Sequence, residues 1–226
     1  MSLRISLYDF FSYTLPGVFF ILIIALGLTT FGVITLDLAI LADLSLSSLL
    51  ILTGAGYLLG LLLNPIAERW VRLFIGTHHR ARDEAFAEFH SRHPKLKIEF
   101  AANEWDMLFY AVKAKSAETA TDVELHNVAS IMLRSISLIL LIAAALFLLI
   151  FLFVYTNIWN LVSAITALFL SRIAITLCHN RRRWFYKGIF EAFAVYYLLE
   201  EKMKNPEAPS LTENPPTVAS VAANDA

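Results

Sequence analysis

The sequence predicts an all-α membrane protein: four transmembrane helices, a helical cytosolic insert and a C-terminal amphipathic helix. Three observations carry this reading. Of 226 residues, 58% are hydrophobic and only 16% charged, with a mean hydropathy of +0.64, whereas soluble domains are nearer a quarter charged. The apolar residues are bunched into stretches of about 20 that lack acid and base, the length a helix needs to cross a hydrocarbon core of ~30 Å. A charge-rich middle segment separates two pairs of such stretches.

Residues 1–16 read as an interfacial N-terminal segment. Arg4 and Asp9 are its only charges, and Tyr8, Phe10, Phe11 and Tyr13 suit headgroup depth. No small-residue cleavage motif closes the first apolar run, so the first span is expected to be retained. Pro16 fits a first helical turn, where its missing N–H costs nothing. Transmembrane helices 1 and 2 are expected within residues 17–66. The first covers 17–36, an acidic turn with Asp37 and Asp43 follows, and the second covers 45–66, closed by Asn64 and Pro65.

Residues 67–130 are the expected cytosolic helical insert. "AERWVRLFIGTHHRARDEAFAEFHSRH" reads as helix broken near Gly76 and ended by Pro94. "KLKIEF" alternates like a short strand. "NEWDMLFYAVKAK" has Asn103 as its cap. "TDVE", Thr121 to Glu124, matches a capping box, and no breaker follows before Asn157. One long helix is therefore expected over 122–155, cytosolic at its start and spanning at its end. Transmembrane helices 3 and 4 fall within 131–178, the fourth over 159–178 after the tight turn "YTNIWN". Residues 179–204 are expected as a cytosolic amphipathic helix, periodic over 184–202. Residues 205–226, rich in Pro, Ala, Ser, Thr and Asn, read as a disordered tail.

The basic residues orient these spans. The turns after spans one and three carry none, while the insert and the C-terminal flank carry nearly all. The positive-inside rule then puts both termini and residues 67–130 in the cytoplasm. A net charge of −1 gives no basic field for nucleic acid. The single cysteine, Cys178, rules out an intramolecular disulfide and any zinc site built on several cysteines. A glycine-rich phosphate loop, GxSxG and an acidic pair within a span are all missing, so no enzyme activity and no cofactor are expected.

Arg172 is the leading candidate residue. If the fourth span stopped before it, only about 13 residues would remain, too few to cross. Its guanidinium either snorkels to the headgroups or has a partner in the membrane, with Glu68 or the neutral Asn64 as candidates for pairing or gating. Gly56 and Gly60 form GxxxG, which lets two helix backbones approach closely, within one bundle or between subunits. Arg181, Arg182 and Arg183 form a juxtamembrane basic cluster suited to lipid headgroups. His79, Asp83 and His90 can share one helical face, but without HExxH or a neighbouring cysteine they read as a solvated polar face, and no metal is expected.

"YDFFSYTLPGVFFIL", with Leu15, Pro16 and Gly17 where the chain meets the membrane, resembles the opening of a loose group of small four-span bacterial inner-membrane proteins. The layout also resembles multi-span membrane effectors of anti-phage defence systems. The resemblance implies a bacterial inner membrane and transfers no catalytic or ligand residue. The expected function is an oligomeric effector. A cytosolic cue, from a small-molecule or protein activator, would act through the insert, and the bilayer would become permeable. The alternative is a non-catalytic scaffold or accessory subunit docking a cytosolic partner. The bilayer and further copies of the chain are the expected partners, and nucleic acid is not.

Overall fold

In the computed structural model, residues 7–35, 45–76, 79–94, 100–154 and 156–204 are described. Every regular element among them is helical. The strand expected from "KLKIEF", the turn with Asp37 and Asp43, and the tail over 205–226 lie wholly or mostly outside the described residues.

The chain begins with an α-turn, Leu7–Asp9, and a π-turn, Phe10–Thr14, which run directly into α1, Leu15–Thr30. Pro16 accounts for the π-turn. It has no N–H to give the carbonyl four residues back, and the Leu15 N–H bonds instead to Phe10 O. Phe10–Thr30 thereby forms one membrane-length helix of 21 residues. It ends earlier than residue 36, at a turn where Gly32 takes φ +73°. The last-turn hydroxyls are satisfied locally, Thr29 and Thr30 donating to Ala25 O and Leu26 O at 2.9 and 2.8 Å.

Helix α2, Leu46–Ile75, has 30 residues and begins at Ser45, whose hydroxyl accepts the Ser48 N–H at 3.2 Å. It runs through Asn64 and Pro65 rather than stopping there. Proline removes one backbone bond, a loss that packed neighbours can offset, and Leu63, Ala67 and Val71 are buried on either side of it. At 1.5 Å per residue α2 is about 45 Å long, more than the ~30 Å apolar core. Gly76, at φ +83°, ends it.

Helices α3, His79–Arg92, and α4, Trp105–Lys115, form a layer beyond the bundle. Asn103 does not cap α4. It lies in a 3₁₀ turn, Ala102–Glu104, where the Glu104 carboxylate accepts the Ala101 N–H at 2.9 Å. Helix α5, Ala117–Phe153, spans 37 residues. Its cap is Ser116, whose hydroxyl accepts the Thr119 N–H at 3.2 Å, so the expected box at Thr121 falls inside the helix, where the Thr121 hydroxyl donates to Ala117 O. Helix α6, Ile158–Lys204, has 47 residues and replaces the expected span and separate amphipathic helix. The three arginines do not interrupt it, because arginine is a good helix former. Its one glycine, Gly188, lies where a Cβ would meet Val123 of α5 at 2.9 Å.

The helices that hold Phe10–Thr30, Leu46–Ile75, Ala117–Phe153 and Ile158–Leu198 are each long and apolar enough to cross a membrane. Helices α5 and α6 are antiparallel, with Ser130 beside Cys178 and Ser137 beside Ser171. Helices α2 and α5 are also antiparallel: Val71 clusters with Leu133, and Leu63 and Ala67 cluster with Leu138 and Ile139. The layer helices bury Ala85, Phe89 and Leu108 against Phe185, Ile189, Phe190 and Ala194 of α6 and Val123 of α5. Bundle and layer therefore share α5 and α6 as common struts.

Candidate functional site

The seam between α5 and α6 is built from small and polar side chains. On α6, Ala164, Ala167, Ser171, Ala174 and Cys178 recur at helical spacing and are buried, and on α5 Ser130, Arg134 and Ser137 do the same. Small residues bring the backbones close enough for side chain to reach backbone across the seam. The Ser171 hydroxyl donates to Ser137 O at 2.8 Å, Ser137 donates back to Ser171 O at 3.2 Å, and the Cys178 thiol donates to Ser130 O at 3.3 Å. The Trp70 indole of α2 donates to the Ser137 hydroxyl at 3.1 Å. Such bonds contribute roughly 0.6 kcal/mol each in membrane bundles. Their larger effect is to fix the register.

That register places Arg134 at the depth of Glu68. Arg134 is 7% exposed and forms an ion pair with the Glu68 carboxylate, while its other terminal nitrogen donates to the Asn64 side-chain oxygen, one turn away on α2. Arg72 and Arg182 approach the same carboxylate at 3.3 and 3.6 Å. One acid thus collects three guanidiniums from three helices. Arg134 Nε and the neighbouring Ser135 hydroxyl are buried without a hydrogen-bond partner among the described residues, as are the hydroxyls of Ser12 and Thr14 in the first turns. The chemistry of this junction is charge pairing and hydrogen bonding, which makes it a clamp between helices.

The residues expected to matter are distributed as follows. Glu68 and Asn64 do pair with a cation, and it is Arg134. The structure does not bring Arg172 to Glu68. Arg172 is exposed, and its guanidinium lies over the Phe74 ring at 5.5 Å from the centroid. Gly56 and Gly60 pack within the chain. A Cβ on Gly60 would collide with Tyr13 O, one on Gly56 would meet Val18 Cγ2 at 2.6 Å, and one on Gly17 would collide with Gly56 O. The basic cluster is divided three ways. Arg182 turns to Glu68, Arg183 to Glu88, and Arg181 outward to His126 at 3.3 Å.

A second ionic centre pins the layer. Glu88 of α3 accepts from Lys187 at 3.0 Å and also pairs with Arg183 and Arg92. Lys187 is buried, its ammonium 4.5 Å from the Trp184 ring centroid. Hydrogen bonds from Lys187 and Arg183 hold the Glu88 carboxyl below its ordinary value. Glu84 pairs with His179 at 2.9 Å and with Arg80. Burial pushes its carboxyl up, yet the His179 and Arg80 hydrogen bonds outweigh that and leave it lowered. Among the described residues no three His, Cys, Asp or Glu side chains converge as a metal would need, and His90 lies instead against Phe86 at 4.4 Å between ring centroids.

Arg134 is not among the residues the sequence singled out, because the search for an intramembrane charge settled on Arg172 in the fourth span. The signal was present one span earlier: Ser130, Arg134 and Ser137 stand four and three residues apart, on one helical face. Compared with known proteins, the chain matches no family model, no curated protein sequence and no solved structure.

Proposed function

We propose that the chain is an oligomeric membrane effector. A cue taken up by the α3–α4 layer, from a small-molecule or protein activator, passes into the bilayer through α5 and α6 and makes the membrane leak between copies. One observation carries this reading. Neither α5 nor α6 breaks between layer and bundle, and the layer helices dock on those same two rods. A displacement of the layer is then a displacement of helices in the membrane. The leak belongs between copies because the α5–α6 seam within one chain is closed by small side chains that bond across it. The positive-inside rule supports a cytoplasmic layer and cytoplasmic termini, and the resemblance of the opening segment supports a bacterial inner membrane. The role is non-enzymatic, and anti-phage defence is the setting the layout suggests.

A second reading is a scaffold that docks a cytosolic partner. It is supported by Met107 and Tyr110, which stand 69% and 70% exposed on α4. Induced expression in a bacterial host with a potential-sensitive dye separates the two. Wild type should collapse the potential, and the misfolding variant Gly60→Leu should not. A membrane that stays sealed at high expression, with a soluble protein co-purifying at fixed ratio, would replace the effector with the scaffold.

A further inference from the structure

We infer that the bundle carries a built binding level for anionic phospholipid headgroups, formed by Arg172 with Phe74 on one side of α6 and Arg181 with Trp184 on the other. The register sets the depth. Val71 packs against Ile175 and Cys178, and α2 and α6, each antiparallel to α5, run the same way. Phe74 lies three residues beyond Val71, and Arg172 three residues before Ile175. The ring is therefore about six residues, roughly 9 Å, closer to the layer than the Arg172 backbone. The guanidinium nevertheless sits over it at 5.5 Å. The Arg172 stem thus lies along α6 toward the layer, as a snorkelling side chain does.

Arg181 follows Arg172 by nine residues, two and a half turns, so it faces the opposite side roughly 13 Å farther along. Extended toward the layer, the Arg172 stem covers part of this offset and carries its guanidinium toward the Arg181 level. Arg181 meets His126, whose ring faces Trp184 at 6.3 Å, and Trp184 is 52% exposed. Arg69 and Arg72 are also exposed on the adjacent turns of α2. Arg172 and Arg181 have no carboxylate within ion-pair distance among the described residues, unlike Arg182 and Arg183, which turn inward to Glu68 and Glu88. Exposed guanidiniums and aromatic rings on neighbouring turns, at the end of the apolar helix surface, match a leaflet's headgroup layer.

The test uses the full chain in nanodiscs of phosphatidylcholine, with and without phosphatidylglycerol. Phosphatidylglycerol should raise the Tm of wild type, and Arg172→Gln with Arg181→Gln should lose most of that rise while melting normally in phosphatidylcholine. The charge-keeping pair Arg172→Lys with Arg181→Lys should retain it, which guards against a variant that simply misfolds. Lys113→Gln, on the layer, should leave the rise intact. Inorganic phosphate added to phosphatidylcholine discs should not reproduce it. An undiminished rise in the glutamine double variant would overturn the inference, as would an equal loss in Lys113→Gln or full stabilisation by free phosphate.

Discussion

Arg134 and Arg172 both sit in membrane-length helices, and a carboxylate decides their difference. Arg134 is buried against Glu68, whereas Arg172 is exposed over a ring. Removing one partner of a buried pair costs up to ~3–5 kcal/mol, less whatever Arg72 and Arg182, which stay beside Glu68, offset. An exposed cation–π contact contributes about 0.5–1 kcal/mol. Arg134→Leu should therefore melt far lower than wild type in detergent, and Arg172→Leu close to it. The double change Arg134→Leu with Glu68→Gln should cost less than the sum of the two single changes, since the two residues are coupled. Equal melting of the two single variants would sink this assignment. Glu68 and Asn64 were legible as candidates because each is polar at a span boundary. Their cation was not, because pairing across α2 and α5 depends on a register that only the packed seam sets.

At the scale of elements, glycine contacts turn a motif into a prediction. Gly54 has open space where a Cβ would go, whereas a Cβ on Gly60 would collide with the Tyr13 carbonyl. Gly60→Leu should fail to give a folded species, and Gly54→Leu should fold as wild type, judged by detergent sizing with a thermal melt. A folded but smaller Gly60→Leu particle would return the motif to a subunit interface. The same contacts explain why the apolar runs located the long helices well while their ends were misjudged. Apolar length is a one-body property that bilayer thickness reads directly. Whether a helix continues through Pro65, or through Arg181–Arg183, depends on neighbours: Leu63 and Ala67 flank the proline, and Glu68 and Glu88 receive two of the arginines. The layer's docking should also respond to acid. Glu84 and Glu88 are held below the ordinary value of 4.5, so their stabilisation is complete above that pH and is lost as pH falls through the lowered values. Hydrogen exchange in α3 should accelerate below about pH 4.5 before that in the membrane half of α5, and simultaneous loss would count against the clamp.

For the whole molecule, the consequence of α6 being one rod of 47 residues is that layer and bundle should melt and move together. Asn180 lies between the seam at Cys178 and the first outward arginine, and it is exposed. Proline there removes one backbone bond and clashes with the preceding turn, at a cost of ~3 kcal/mol, while touching no ion pair. Asn180→Pro should therefore kink the strut without dismantling either half. Wild type should show one cooperative transition. The variant should show two, with the α3–α4 layer losing exchange protection at lower temperature than the α5–α6 seam. If the layer drives the membrane through this rod, the variant should also fail to depolarise cells in which wild type does. Two transitions with undiminished depolarisation would mean that α5 alone transmits the cue. A single transition with undiminished depolarisation would remove the strut from the mechanism altogether, leaving the long helix as a consequence of arginine-rich sequence and close packing at Gly188.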